Sequence, residues 1–164
     1  MQIFAPIPDP LRADAARLWW RSFGRDARLM GGRRSGIDHS RGAVAVRGGR
    51  IAGVIGLRDG AGGFAPPSRG PLALIFRPAP PTADLVIDGI CVDRAMRRTG
   101  TGAALIQAAL AQARRASRPG LRAEVAASNR AALAFYRKAG FVEIGRGRYG
   151  WPWVGQVVML RRAA

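Results

Sequence analysis

The chain has 164 residues, enough for one domain with a real hydrophobic core. It holds 27 basic and 10 acidic side chains, a formal net charge of +17, which raises the question of a nucleic-acid partner. One cysteine and one histidine exclude an internal disulfide and supply no zinc ligand set, and no run approaches the roughly 20 apolar residues of a membrane span.

The first residues, MQIFAPIPDPLRAD, lack the basic start and apolar core of a signal peptide, so a cytoplasmic protein is expected. Three observations weigh against nucleic acid. Lysine occurs once, at Lys138, and the other 26 basic residues are arginine. Ala, Gly, Pro and Arg are abundant together, as a GC-rich coding bias produces. The arginines are dispersed, without the interleaved aromatics of a stacking platform. Their distribution is uneven: residues 1–93 hold 13 basic and 8 acidic side chains, and residues 94–164 hold 14 and 2.

In chain order, residues 1–7 predict a short strand, ended by Pro6, Pro8 and Pro10. Asp9 or its neighbours cap a helix to about Phe23, with Leu11, Ala15, Leu18 and Trp19 on its apolar face. Trp20 falls outside that stripe, at a cleft or in partial exposure. Residues 25–30 predict a second short helix, and residues 31–41 a loop rich in glycine and arginine that also holds His39. Residues 43–47 and 51–57 read as a hairpin turning at Gly48-Gly49. Residues 58–71 predict a flexible loop, residues 72–76 a short apolar run, either strand or one helical turn, and residues 77–81 a proline linker.

The middle of the chain is organised differently. Leu85–Val92 is nearly all apolar and β-favouring. A basic stretch follows, and Gly100-Thr101-Gly102 opens a helix with Ile106, Leu110 and Ala113 on one face. Arg114 and Arg115 suit its C-terminal dipole, and Pro119-Gly120 ends it. Residues 121–127 predict another strand. Ser128-Asn129 cap a helix over residues 130–139, stopped by Gly140. Residues 141–144 and about 154–160 predict closing antiparallel strands, joined by residues 146–152 and followed by a tail.

The glycine stretch has one physical use beyond a tight turn. A helix start leaves N–H groups unpaired and carries partial positive charge, and glycine lets backbone approach a ligand. With Arg97 and Arg98 beside it, the product is an anion cradle suited to phosphate. It is not a dinucleotide fingerprint, because Leu105 replaces the third glycine, and no P-loop lysine is present. Cys91, inside the apolar strand, reads as a buried and inert thiol. Alone, Asn129 reads as a helix cap and Tyr136 as an aromatic at the edge of the core.

Two stretches together resemble the GNAT acyltransferase superfamily. One is Arg97-Arg98-Thr99-Gly100-Thr101-Gly102 between strand and helix. The other is Asn129-Arg130-Ala131-Ala132-Leu133-Ala134-Phe135-Tyr136, continuing to Gly140-Phe141, at the family's spacing. The resemblance covers about residues 85–144, and the N-terminal 80 residues match only in layout. It implies one domain over residues 1–164. The implied fold is α/β: a mixed, mostly antiparallel sheet with a splayed central parallel strand pair and helices on both faces.

The implied activity is transfer of an acetyl group from acetyl-CoA to a primary amine of a small molecule. A protein N-terminal or ribosomal-protein acceptor, a non-catalytic CoA-binding module and a nucleic-acid binder are the alternatives. The resemblance places the pyrophosphate on residues 97–102. It places the pantetheine arm on Ile90, Cys91 and Val92 and beside Asn129, Ala131 and Ala132. Tyr136 is then the general acid toward the leaving thiolate. A carboxylate in an apolar strand has a raised pKa, which suits a base, and makes Asp88 the first candidate, with Glu124 second. No metal is required, and a homodimer is compatible with this reading. Trp19, Trp20, Trp151 and Trp153 are expected to pack inward or to wall the acceptor side.

Overall fold

The hairpin that starts the sheet follows directly from its turn. In the computed structural model, which describes residues 1–29, 36–66 and 74–164 (side chains 25–29 excepted), Gly48 and Gly49 take φ of +56° and +71°. Such a pair matches the twist of two antiparallel strands. It joins β2 (Gly42–Arg47) to β3 (Arg50–Asp59), and β1 (Gln2–Phe4) pairs outside β2. β5 (Leu85–Val92) lies antiparallel on the other side of β3. It is followed by α2 (Thr101–Arg115), β6 (Gly120–Ala126), α3 (Arg130–Lys138), β7 (Val142–Gly147) and β8 (Val157–Ala163). The sheet order is β1-β2-β3-β5-β6-β8-β7, with β4 (Gly62–Gly63) on the end of β3. Among the described strands, only β5 and β6 run parallel.

Two cores fill the faces. α2 and α3 bury Leu105, Ile106, Leu110, Leu133 and Tyr136 against Ile55, Ile87, Leu121 and Leu160. On the other face α1 (Arg12–Leu29) lays Ala15, Leu18 and Trp19 on Val44, Val54 and Cys91.

Three sequence expectations change. α1 is one helix from Arg12 to Leu29, with no break after Phe23. Gly24 inside a helix costs only about 1 kcal/mol relative to alanine, and Trp19 and Phe23 packing on the sheet offsets it. The loop after β3 turns back at once: β4 returns Phe64 onto the sheet, fully buried over Gly42 and Gly56. A Cβ on Gly56 would stand 2.5 Å from that ring. The expected loop is therefore an anchored hairpin as far as its described residues go. Residues 74–75 form an exposed helical turn, one of the two forms expected of residues 72–76, and Phe76 follows it; residues 72–73 lie outside the described residues, as do residues 31–35 of the arginine-rich loop. Finally, β8 continues through the expected tail. The Arg161 side chain reaches from the strand to pair with Asp84 at 2.8 Å, and that of Arg162 donates to the Ala139 carbonyl.

Candidate active site

The parallel pairing of β5 with β6 covers only three rungs, Leu85↔Leu121, Val86↔Arg122 and Ile87↔Ala123. Beyond them β6 stays paired to β8 as far as Ala126, and β5 stays paired to β3 as far as Val92. The two strands therefore fork. The cause is local: Gly56 faces Gly89 while Leu57 faces Ile87, so Asp88 is an extra residue, a bulge, which bends β5. The Asp93 N–H bonds the Ala52 carbonyl of β3. Strand alternation then turns the backbone groups of Ile90 and Val92 into the fork and those of Cys91 toward β3. Of the three residues expected on the pantetheine arm, Cys91 thus presents no backbone group to it. Its side chain faces α1, and burial pushes the thiol up to about 11, as an inert cysteine requires.

The glycine loop stands at the open end. Asp93 caps a short turn, Arg94–Met96, by accepting from Ala95 N–H at 3.0 Å. Arg98 and Gly100 then take φ of +62° and +83°, the alternation that turns successive N–H groups to one side. The first intrahelical acceptor of α2 is the Gly100 carbonyl, bonded to Ala104 N–H, so the N–H groups of Thr101, Gly102 and Ala103 point out of the helix start. Arg97, Arg98 and Thr99 are exposed, and neither arginine has an ion-pair partner among the described residues. Thr101 offers its backbone rather than its side chain to the cradle. It is buried, with its hydroxyl 3.0 Å from that of Thr99, and only its N–H faces outward. Gly102 is required by packing: a Cβ there would stand 2.9 Å from the Phe135 ring of α3.

α3 brings the second motif to the same place. The Asn129 Oδ1 accepts from Ala132 N–H at 3.1 Å, so its side-chain acceptor serves as the helix cap while its side-chain NH2 has no acceptor among the described residues. Ala131 is exposed and Ala132 half-buried. Tyr136 lies between Phe135 and Phe141, at ring-centroid distances of 5.2 and 5.1 Å. Burial raises its phenol well above the ordinary value, so it stays protonated at all physiological pH.

The opposite face of the fork belongs to α1 and the linker. Trp19 and Phe23 pack over Gly89, where a Cβ would stand 2.7 Å from Trp19. Arg77 and Gly150 exchange backbone hydrogen bonds of 2.9 and 2.6 Å, which ties the linker to the β7–β8 loop. Phe76 meets Trp151 edge-on at 5.2 Å, and Trp153 stacks on Trp151 at 5.2 Å. Of the four tryptophans, Trp19 and Trp151 are buried, Trp20 is half-buried, and Trp153 is 57% exposed.

At the vertex stands a side chain that the sequence did not single out. Arg58 reaches Asp88 through Nε at 2.9 Å and Glu124 through a terminal nitrogen at 2.8 Å. Glu124 also meets Arg122 at 2.6 Å. Asp88 and Glu124 are each the first residue past the last paired rung, so Arg58 braces the fork where its hydrogen bonds end. Burial raises the Asp88 carboxyl above its ordinary value, against the lowering effect of Arg58 and the Ala65 N–H at 3.2 Å. Both candidate bases are thus held in ion pairs, neither standing alone in an apolar strand. Arg58 sits one residue past the predicted strand, and nothing in the sequence pairs it with residues 30 and 66 positions away. Among the described residues no group of three metal-ligating side chains occurs, and no helix is long and apolar enough to cross a membrane.

Residues 12–141 match the model of the acetyltransferase (GNAT) family. The chain belongs to that family. The expected acyltransferase class and fold stand with that membership. No curated protein matches this GNAT chain by sequence. Among solved structures it is similar to an N-acetyltransferase of Staphylococcus aureus, 16% identical over 99% of this chain and all of that one, with a TM-score of 0.69. It is similar to a ribosomal-protein-alanine N-acetyltransferase of Brucella melitensis, 17% identical over the full length of both, with a TM-score of 0.63. A protein of Bacillus anthracis, named for streptothricin acetylation and solved with acetyl coenzyme A, is 22% identical with a TM-score of 0.56. That match covers 75% of this chain and 61% of the other. At these identities the likeness is one of fold.

Proposed function

We propose that this protein transfers an acetyl group from acetyl-CoA to a primary amine of a small molecule. The observation that supports it is the fork between β5 and β6, open beside a helix start whose N–H groups point outward. The residues suit the donor. The N–H groups over residues 98–103 and the Arg97 and Arg98 guanidiniums receive the diphosphate. Ile90 and Val92 pair with the pantetheine amides as a neighbouring strand would. The Asn129 NH2 donates to the arm, and Ala131 and Ala132 let it lie close.

The thioester supplies the activated acetyl carbon. An N–H of β5 polarises its carbonyl oxygen. The neutral acceptor nitrogen attacks the carbon; the C–N bond forms, the C–S bond breaks, and the electron pair leaves on sulfur. Tyr136 gives its proton to that sulfur. Because its phenol is raised, it does so in step with C–S cleavage. The nitrogen's proton passes to Asp88, directly or through water, and Arg58 keeps that carboxylate ionised between turnovers.

The test is free-thiol release from acetyl-CoA across a panel of amines, with the product identified by mass. Amine-dependent release with an N-acetyl product supports the reading. Absence of heat on mixing protein with acetyl-CoA rejects it.

A further inference from the structure

The acceptor face poses an electrostatic problem. A primary amine arrives as an ammonium ion, and this chain carries +17, a field that repels it. An acceptor site for a simple cation needs carboxylates with charge to spare. Nine of the ten acidic side chains are described, and each one is ion-paired to arginine. At the fork, Asp88 and Glu124 are matched by Arg58 and Arg122. On the α1 wall, Asp14 and Asp93 are matched by Arg17 and Arg21.

The other wall is positive and apolar. The linker–loop ladder stands where β6 ends, next to the widest part of the fork, since Gly147 and Ala126 both pair with Val157. Arg77 and Arg148 on it are exposed and have no ion-pair partner among the described residues. Beside them lie Leu74, 88% exposed, with Ile75, Phe76 and Trp153. A guanidinium grips carboxylate or phosphate through two parallel hydrogen bonds, and the aromatic surface suits an apolar body between that anion and the nitrogen.

We propose that the acceptor is an amine that also carries a carboxylate or phosphate, held by Arg77 and Arg148 on the ladder between the linker and the β7–β8 loop. Its own anion cancels the repulsion on approach and fixes which end enters the fork. This rests on the acetyl-transfer reading above and adds to it the class of acceptor.

Five probes test it with acetyl-CoA: 6-aminohexanoate, phosphoethanolamine and the dipeptide Phe-Glu against 1,6-diaminohexane and spermidine. At least one acidic amine is expected to show kcat/KM about tenfold above both polyamines, declining as salt screens the attraction. The three acidic probes separate carboxylate from phosphate and free acid from peptide. Arg77→Ala with Arg148→Ala should raise the KM of the best acid about tenfold and leave acetyl-CoA binding unchanged, while Arg77→Lys with Arg148→Lys recovers part of the loss. The Arg77 backbone bridge survives all these changes. Polyamines turned over as well as the acids overturn the proposal. So does an acceptor KM indifferent to the double alanine change, or no turnover of acids while acetyl-CoA still binds. Loss of acetyl-CoA binding by the unaltered protein overturns the transferase reading itself.

Discussion

The two faces of the fork are built from different materials. The α2 and α3 face, where the donor is proposed to lie, is made of backbone: outward N–H groups, positive φ at Arg98 and Gly100, and a Gly102 that admits Phe135. The α1 and linker face is made of side chains drawn from distant parts of the chain, Arg58 to Asp88 and Glu124, Trp19 over Gly89, and Phe76 on Trp151. Backbone geometry tolerates few residues at few spacings, so the first face leaves a pattern in the sequence. Side-chain pairs across a sheet can be met by many residues at many separations, so the second leaves none.

The contrast can be broken experimentally, the largest effect coming first. Phe64→Ala removes the plug over Gly42 and Gly56 and should cost about 3–5 kcal/mol in denaturant unfolding, with acetyl-CoA affinity per folded molecule retained. Tyr136→Phe should lower kcat by about 10²-fold or more while calorimetry shows unchanged acetyl-CoA binding. Retained kcat would remove the tyrosine from the chemistry. Asn129→Ala should cost about 1 kcal/mol of stability through the lost cap, and raise the KM for acetyl-CoA if its NH2 also holds the donor.

The pH profile sharpens the same comparison. Burial raises Asp88, so the native state binds its proton more tightly than the unfolded chain does. Stability from this group is present below the ordinary carboxylate value and falls as pH rises toward the native one. If Asp88 is the base, the acid limb of kcat lies above the ordinary carboxylate range. Arg58→Gln, which removes the group that lowers Asp88, should move that limb to still higher pH. An unmoved limb assigns the base elsewhere. The smallest effect is at Cys91: with its thiol at about 11 and facing α1, alkylation at pH 7 should be slow in the native protein and fast only on unfolding.

Sequence reasoning reached the glycine turn before α2 and the Asn129 cap because each rests on local rules, whereas the parallel pair came only with the family resemblance. It misjudged residues 58–66 for a related reason. Glycines and alanines read as slack, yet Gly56 and Gly42 are small to seat Phe64, a contact that no local pattern announces. It ended the last strand early because Arg161 and Arg162 look like a solvated tail, whereas their partners, Asp84 and the Ala139 carbonyl, lie far back in the chain. Asp88 was legible as a carboxylate in an apolar strand, but neither its bulge nor its brace was.

The shortness of the seam between β5 and β6 has a measurable result. Two plates of one sheet share three rungs, braced by Arg58 and flanked by the Arg118–Asp59 and Arg161–Asp84 pairs, so the N–H groups past the last rung have no strand partner across the gap. A ligand bonded along the gap supplies one. Amide exchange at Ile90 and Val92 should therefore slow on adding the donor more than exchange anywhere in the β2–β3 hairpin, whose rungs are complete without it.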